Sequence, residues 1–323
     1  RPGYIGLQIG DIISLARIST RKYQVERISD GDIRAITARG VEPQIFASAL
    51  SDRVSRVAHA PRLALPPSVY FIELPAFGAA SNVLQYAAVT SSQWMGSLAL
   101  WRQSAGSFKL EATAEINATS GRLASQLESC LPHILRPGRC VTVELASGYL
   151  QSETCANMIA GANRAALQHP DGAWELVGFC GAKLIGPKQY ELSGILRGIS
   201  GSDYSALRPI PVGSAFVLFD DAIVSLSTDL SQLNQRSLWR VGLASQDYSS
   251  SSFKQVETIL QGSSLFPLSP VQASAKRIDG SIQIKFIRRS RSPYDIWDVN
   301  DVPLGEDIEA YEIDIFKAGS RIR

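Results

Sequence analysis

"CVTVEL", residues 140–145, decides the fold class. Val141, Val143 and Leu145 fall on one side of an extended chain and Thr142 and Glu144 on the other, the period of two of a strand that buries one face. Working outward, "GSLALWR" (96–102), "SFKLEATAEI" (107–116), "WELVGFCGAKLIG" (174–186), "QYELSGILRG" (189–198) and "SAFVLFDDAIVSL" (214–226) read as further strands. The first fifty residues read the same way. "IGDIISLARI" and "YQVERISDGDIRAITARGV" are strands, and Gly10-Asp11 and Asp30-Gly31-Asp32 supply turns, because Gly and Asp tolerate the backbone angles that tight turns need. The expected class is mainly β and multi-domain, with one or two short helices.

Two stretches carry helical spacing. Ser152–Gln168 has Ser152 as an N-cap, Glu153 in the first turn, and Cys155, Ile159, Ala162 and Ala166 as an apolar stripe. "SGRLASQLESCL" (120–131) is a shorter candidate helix. Residues 227–264 are polar and serine-rich and read as loop or linker. Prolines at 61, 66 and 67 mark a boundary. Beyond residue 263, "PLSPVQASAKRIDGSIQIKFIRR" holds a hairpin turning at Asp279-Gly280. Ile282, Ile284 and Phe286 share one face, and "AYEIDIF" (310–316) repeats the pattern with Tyr311, Ile313 and Ile315. The expected organisation is residues 1–60 as part of a β domain begun upstream, 61–262 as a central β-rich domain, and 263–323 as the start of a fibronectin type III-like sandwich.

Composition narrows function. The chain has 323 residues, 45% of them hydrophobic, and a formal net charge of +2. That length suggests more than one domain, since single cores stop growing near ~250–300 residues. A near-neutral balance argues against a general nucleic-acid surface, and no apolar run reaches the ~18–20 residues of a membrane-spanning helix. The opening "RPGYIGLQIGD" reads as the interior of a longer protein. Cys130, Cys140, Cys155 and Cys180 form no C-x-x-C pair, and His59, His133 and His169 lie far apart. No metal site or other cofactor is expected, and the cysteines read as buried or unpaired thiols of a reducing compartment. Asp220-Asp221 is the most obvious carboxylate pair, but adjacent side chains on a strand diverge. No nucleophile elbow, phosphate loop or zinc-protease motif is present. The expectation is that the chain is not an enzyme and has no catalytic residues. Five tryptophans, at 94, 101, 174, 239 and 297, are either core residues or sugar-stacking platforms.

Three motifs together carry a resemblance. "IGDII…YQVERI" resembles a strand pair of phage tail hub proteins. "YELSGILRGISGSD…VGSAFVLFDDAIV" and "SPVQASAKR…GSIQIKFIRRSR…W…VPLGEDIEAYEIDI" resemble consecutive segments of the tail-tip, or host-specificity, proteins of gene transfer agents and related prophages. The glycosidase-like barrel that such proteins carry upstream has no counterpart in this chain. The resemblance implies a hub-type β region at the start, a structural role at the distal end of a phage-like tail, and assembly as a trimer of the full-length protein with other tail or baseplate proteins. It implies synthesis in a bacterial cytoplasm and residence on a virion-like particle, with host attachment as the task. A glycan-binding module for receptor recognition, or part of a tail-associated cell-wall glycosidase, is the alternative.

Candidate interaction residues follow. Gly198 and Gly201 allow a sharp turn out of "ILRGISG", where Leu192, Ile195 and Leu196 are core-type. Arg197 either pins that turn to a carboxylate or carbonyls, or contacts a neighbouring subunit. Near the end, Arg288, Arg289 and Arg291 precede an acidic run from Asp295 to Asp314 that includes Glu306. Acids so close behind the arginines undermine a DNA-binding reading. The arginines are expected to answer the acids, with Trp297 covering the apolar gap.

Overall fold

The computed structural model describes residues 6–15, 21–41, 65–75, 84–104, 106–290, 303–317 and 320–321. Contacts divide the chain into two compact units, Arg1–Leu63 and Ala64–Arg323. The protein is mainly β, with two short helices among the described residues.

The first unit is a three-stranded antiparallel sheet in the order β1 (Ile12–Ser14), β2 (Lys22–Ser29), β3 (Ala35–Val41). Gly10, at φ 100°, makes the expected turn, and Asp11 accepts the Gln8 N–H. Val25 is its buried apolar residue among those described.

The second unit is layered. Strands β4 (Ser68–Ile72), β5 (Leu84–Thr90), β6 (Leu98–Ser104) and β7 (Ser107–Ala114) come first. Then follow β8 (Ser120–Leu123), β9 (Arg136–Ser147), helix α1 (Cys155–Ala160), β10 (Arg164–Gln168), β11 (Trp174–Gly186), β12 (Gln189–Ile199), helix α2 (Asp203–Ala206) and β13 (Ala215–Leu218). Last come β14 (Ile223–Ser227), β15 (Arg236–Leu243) and β16 (Lys254–Ile259). The middle group closes into a six-stranded antiparallel barrel, β10-β11-β12-β9-β8-β13. The flanking groups interleave as a three-stranded sheet, β14-β5-β4, and a four-stranded sheet, β16-β15-β6-β7. The barrel is therefore an insertion between β7 and β14 of a two-sheet sandwich.

Strand alternation builds all three cores. The three-stranded sheet is covered on both faces, so β5 is buried along nearly its whole length, Gln85 and Thr90 included. Ala87 and Val89 meet Leu100, Trp239 and Val241 of the four-stranded sheet. Ala88 and Ile72 meet Trp174, Leu176 and Val217 on the outside of the barrel. Inside the barrel Val141, Val143, Leu145, Val177, Phe179 and Phe216 interlock. The cavity left among them is apolar and about 10 Å³, the size of one water at most, so the barrel is a packed core and not a channel. The alternation of "CVTVEL" is as read, with Val141, Val143 and Leu145 at most 3% exposed.

Up to residue 264, four expectations are corrected. The helix of 152–168 stops after six residues, because Gly161 (φ 124°) and Asn163 (φ 49°) turn the chain into β10. Tertiary pairing then overrides the helical spacing of "RAALQ": Ala165 and Leu167 face the barrel interior and Ala166 faces the sandwich. Residues 120–131 form no helix. Gly121 lies so close to Glu144 and Leu145 that no Cβ fits, and β8 closes the barrel there. Residues 227–264 are not a linker, since they supply β14's end, β15 and β16. The thiols are not all free: Cys155 and Cys180 form a disulfide, leaving Cys130 and Cys140 unbridged.

After the sandwich, β17 (Val271–Ile278) and β18 (Ser281–Ile287) form the expected hairpin. Asp279 (φ 48°) and Gly280 (φ 82°) both occupy the left-handed region that a two-residue turn of this kind requires. Phe286 packs on Tyr311 at 4.6 Å between ring centroids. "AYEIDIF" does not form the expected strand: Tyr311 and Ile313 are exposed, and only Phe316–Lys317 (β19) pairs, with Ser320–Arg321 (β20). The described residues beyond 263 build a two-stranded ribbon and the short β19–β20 pair. A two-stranded hairpin is marginal by itself, so a charge on its half-buried face has a large effect. Ile284→Asp is expected to speed hydrogen exchange across β17 and β18, while Arg289→Ala leaves their exchange unchanged; the reverse pattern would contradict this packing.

Candidate functional site

The end of β12 anchors a buried charged cluster. Arg197 is 0% exposed. Its Nε donates to Glu175 Oε1 at 2.8 Å and its Nη2 to Glu175 Oε2 at 2.5 Å, the bidentate fork that only a guanidinium presents. Nη1 donates to the Glu128 carbonyl at 2.7 Å, and Nη2 also reaches the carbonyls of Ser205 (3.2 Å) and Arg208 (2.9 Å). One side chain thus ties β12 to β11, to the loop before β9 and to the turn around α2.

Glu175 is equally buried and takes four donors: two from Arg197, the Gly198 N–H at 3.2 Å and His169 Nε2 at 2.9 Å. A carboxylate only accepts, so His169 carries its proton on Nε2. Its Nδ1 is buried and has no hydrogen-bond partner. Every charge here is consumed by the interior, and nothing in the cluster opens to a substrate.

The two glycines have steric reasons. Gly198 has φ 72°, and a Cβ there would lie 2.7 Å from Pro132 Cβ. Gly201 has φ 79°, and its Cβ would lie 2.6 Å from Leu268 Cδ2 and 2.8 Å from Pro75 Cβ. The turn out of β12 is packed from both sides.

A second, half-exposed cluster adjoins it. Asp203, the first residue of α2, bonds His133 Nε2 through Oδ1 and Arg289 Nη2 through Oδ2, the latter at 2.6 Å. Since His133 Nε2 donates to Asp203, its 3.4 Å approach to Arg289 Nη1 is a contact and not a further hydrogen bond. Arg289 Nε also donates to the Ser269 carbonyl. The hairpin's arginine therefore answers an acid of the barrel insertion. Arg288 does pair within that run, donating to Glu309 at 3.2 Å, and the Tyr311 hydroxyl donates to the same carboxylate at 2.9 Å. Glu306, with Arg288, Arg289, Leu304 and Ile308, lines a groove of about 120 Å³. Arg291 and Trp297 lie outside the described residues.

Other acids serve turns, clefts and surface pairs. Asp220 sits in a turn, its Oδ1 accepting the Ala222 N–H, and both it and Asp221 are exposed. Glu73 lines a cleft of about 130 Å³ and accepts the N–H groups of Gln261 and Gly262, joining the two ends of the sandwich. Arg208, hydrogen-bonded to Asp171 at 2.5 Å, holds that carboxyl below its ordinary range. No group of three or more potential metal-ligating side chains occurs among the described residues. Of the tryptophans, Trp174 and Trp239 are buried, Trp94 packs on the sandwich core, and Trp101 is half-buried against Tyr248.

Glu175 was legible as the lone acid inside an apolar strand, "WELVGFC", a placement that requires a partner. His169, His133 and Asp203 gave no such signal.

Fold and cluster together define a β protein whose inserted barrel is locked from within by a buried ion pair. Residues 118–217 match the family model described as Rcc01698-like, C-terminal, a span that begins just before β8 and ends within β13. The matched segment is thus the inserted barrel, under a third of the chain. No curated protein matches the sequence.

Proposed function

We propose that the protein is a structural part of the distal end of a phage-like tail, of the kind carried by gene transfer agents, and that its task is assembly and host attachment rather than catalysis. The observation that carries this reading is the barrel itself: the segment similar to the Rcc01698-like family folds as a packed insertion whose buried ion pair is spent on holding it closed. Arg197 acts as an internal strut. The "ILRGISG" and "SPVQASAKR" segments that resemble tail-tip proteins lie in and beside that barrel, and Arg289 bonds both Asp203, two residues after the first, and the Ser269 carbonyl that begins the second. Trimerisation of the full-length protein and contact with other tail proteins belong to the same proposal.

The test is localisation. Antibody against the barrel is expected to label one end of tailed particles, and particles lacking the protein are expected to keep their heads while losing attachment to cells. Label on heads alone, or unchanged attachment, would overturn the reading. Purified protein is also expected to release no reducing sugar from envelope material, and robust turnover would favour the glycosidase alternative. The glycan-binding alternative has one observation behind it: Trp101, Tyr248 and Phe108 form a row of half-buried rings, 5.3 and 5.5 Å between centroids. They stand second because the rings occupy one another's faces and Arg240 lies 5.2 Å over Phe108.

A further inference from the structure

We propose that Cys155–Cys180 is a redox-gated staple: it closes only once the chain meets an oxidising environment, and its closure fixes the strap of residues 152–163 on the outer wall of the barrel. The argument begins with how little else holds that strap. It leaves and rejoins β11 on two feet. Ser152 Oγ accepts the Ala182 N–H at 2.9 Å and the Glu153 N–H donates to the Cys180 carbonyl at 2.7 Å; at the other foot, the Phe179 N–H donates to the Asn163 carbonyl at 3.2 Å. Between the feet, α1 has six residues, far below the ~12–15 needed for a helix to persist alone in water. Thr154 caps it through Oγ1, 3.1 Å from the Asn157 nitrogen. Met158 is its one buried residue; Ile159 is 64% exposed.

The wall beneath is shaped to receive two sulfur atoms. Gly178 faces Met158, and a Cβ there would collide with the Met158 sulfur. Gly194, on the neighbouring β12 at φ 63°, would place a Cβ 3.0 Å from Cys180 Sγ. Two adjacent strands thus give up side chains where the thioether and the disulfide sit. The bridge spans 5.1 Å between Cα atoms, within the range such bonds adopt. The two halves are unequally accessible: Cys180 is 8% exposed and Cys155 half-buried. Cys155 is therefore the sulfur that an outside reagent meets first.

The step is thiol–disulfide exchange. The Cys155 thiolate attacks one sulfur of an oxidant's disulfide, forming a mixed disulfide and releasing the oxidant's first thiolate. The Cys180 thiolate then attacks Cys155 Sγ, forming the S–S bond and releasing the second. Two cysteine thiols lose two protons and two electrons, and the oxidant's disulfide becomes two thiols. The oxidant is a protein or small-molecule disulfide, of the kind that oxidising compartments maintain and reducing ones do not. The barrel strands pair without this bond, so the chain can fold reduced with the strap loose and lock afterwards. This inference is independent of the tail-tip reading.

The experiment uses the full chain, equilibrated in oxidised glutathione or in dithiothreitol, with alkylation under denaturing conditions and hydrogen exchange under native ones. In oxidised glutathione, the peptides of Cys155 and Cys180 are expected to escape alkylation; in dithiothreitol all four cysteines are expected to react. Reduction is expected to raise exchange in 152–163 at least ~10-fold, a local opening, while β9 and β12 keep theirs. The Cys155→Ser, Cys180→Ser double variant should match the reduced protein in either buffer. Full alkylation of Cys155 and Cys180 in oxidised glutathione, or equal exchange in 152–163 between the two states, would overturn the proposal.

Discussion

The Arg197→Ala variant is expected to lose about 3–5 kcal/mol of stability, the cost of breaking a buried ion pair from one side. The loss comes less from the missing attraction than from what remains. Glu175 is left at zero exposure with two of its four donors gone, and the Glu128, Ser205 and Arg208 carbonyls lose the guanidinium that they share. Domains of ordinary size have only ~5–15 kcal/mol in total, so the variant is expected to populate an open barrel at room temperature. Arg197→Lys should fare little better, because one ammonium cannot reach acceptors spread over Glu175, the loop at Glu128 and the turn at 205–208. Replacing Arg197 and Glu175 together by methionine removes both charges and should recover part of the loss. A contrast sits nearby: Arg208–Asp171 is similarly short at 2.5 Å but surface-exposed, and Asp171→Asn should cost no more than ~1 kcal/mol. Urea titration of the four variants decides the matter. An Arg197→Ala change as small as that of Asp171→Asn would show that the network is not what holds the barrel.

How far the sequence discloses this architecture depends on what kind of signal each element carries. "CVTVEL" was readable because one face of β9 meets the barrel core and the other faces outward, so burial and alternation coincide. The Asp279-Gly280 turn was readable because left-handed backbone at two successive positions favours those residue types. The insertion of the barrel into the sandwich was not readable, since no local pattern records that β7 and β14 belong to one body when over a hundred residues separate them. The disulfide was hidden for the same reason: Cys155 and Cys180 meet only because α1 lies back on β11. "SETCANMIAGANRAALQ" misled by its spacing. Gly161 and Asn163 were the punctuation that should have divided it, and the alanines of "RAALQ" suit a strand with cores on both faces. The Arg197 cluster was half-visible, as a lone arginine beside a glycine turn and a lone glutamate in an apolar strand. Their pairing across β11 and β12 needed the fold.

Trp239 shows what the serine-rich stretch concealed, and it carries the second large expected effect. Ten serines, four of them at 249–252, colour the composition of 227–264, yet "RSLWRVGL" (236–243) alternates: Trp239 and Val241 point into the sandwich while Arg240 points out, over Phe108. Trp239 is 1% exposed and lies on β15, an inner strand between β16 and β6. Its ring meets Phe71 at 5.0 Å, Arg102 lies 5.6 Å over it, and its Nε1 donates to Thr258 Oγ1 at 3.1 Å. Trp239→Ala therefore opens a cavity between the two sheets and strips a donor from Thr258. The expected cost is about 3–5 kcal/mol, the range for deleting a buried large aromatic. Trp239→Phe keeps most of the volume and should cost less. Because the three-stranded sheet lies between this core and the barrel, the two bodies should respond unequally. Exchange is expected to accelerate in β6, β15 and β16 well before it does in β9 and β12, where Arg197 still holds. If instead the barrel amides open in step with the sandwich, the inserted domain depends on its host for stability, and the Arg197 and Trp239 substitutions would then couple strongly in a double-mutant cycle rather than add.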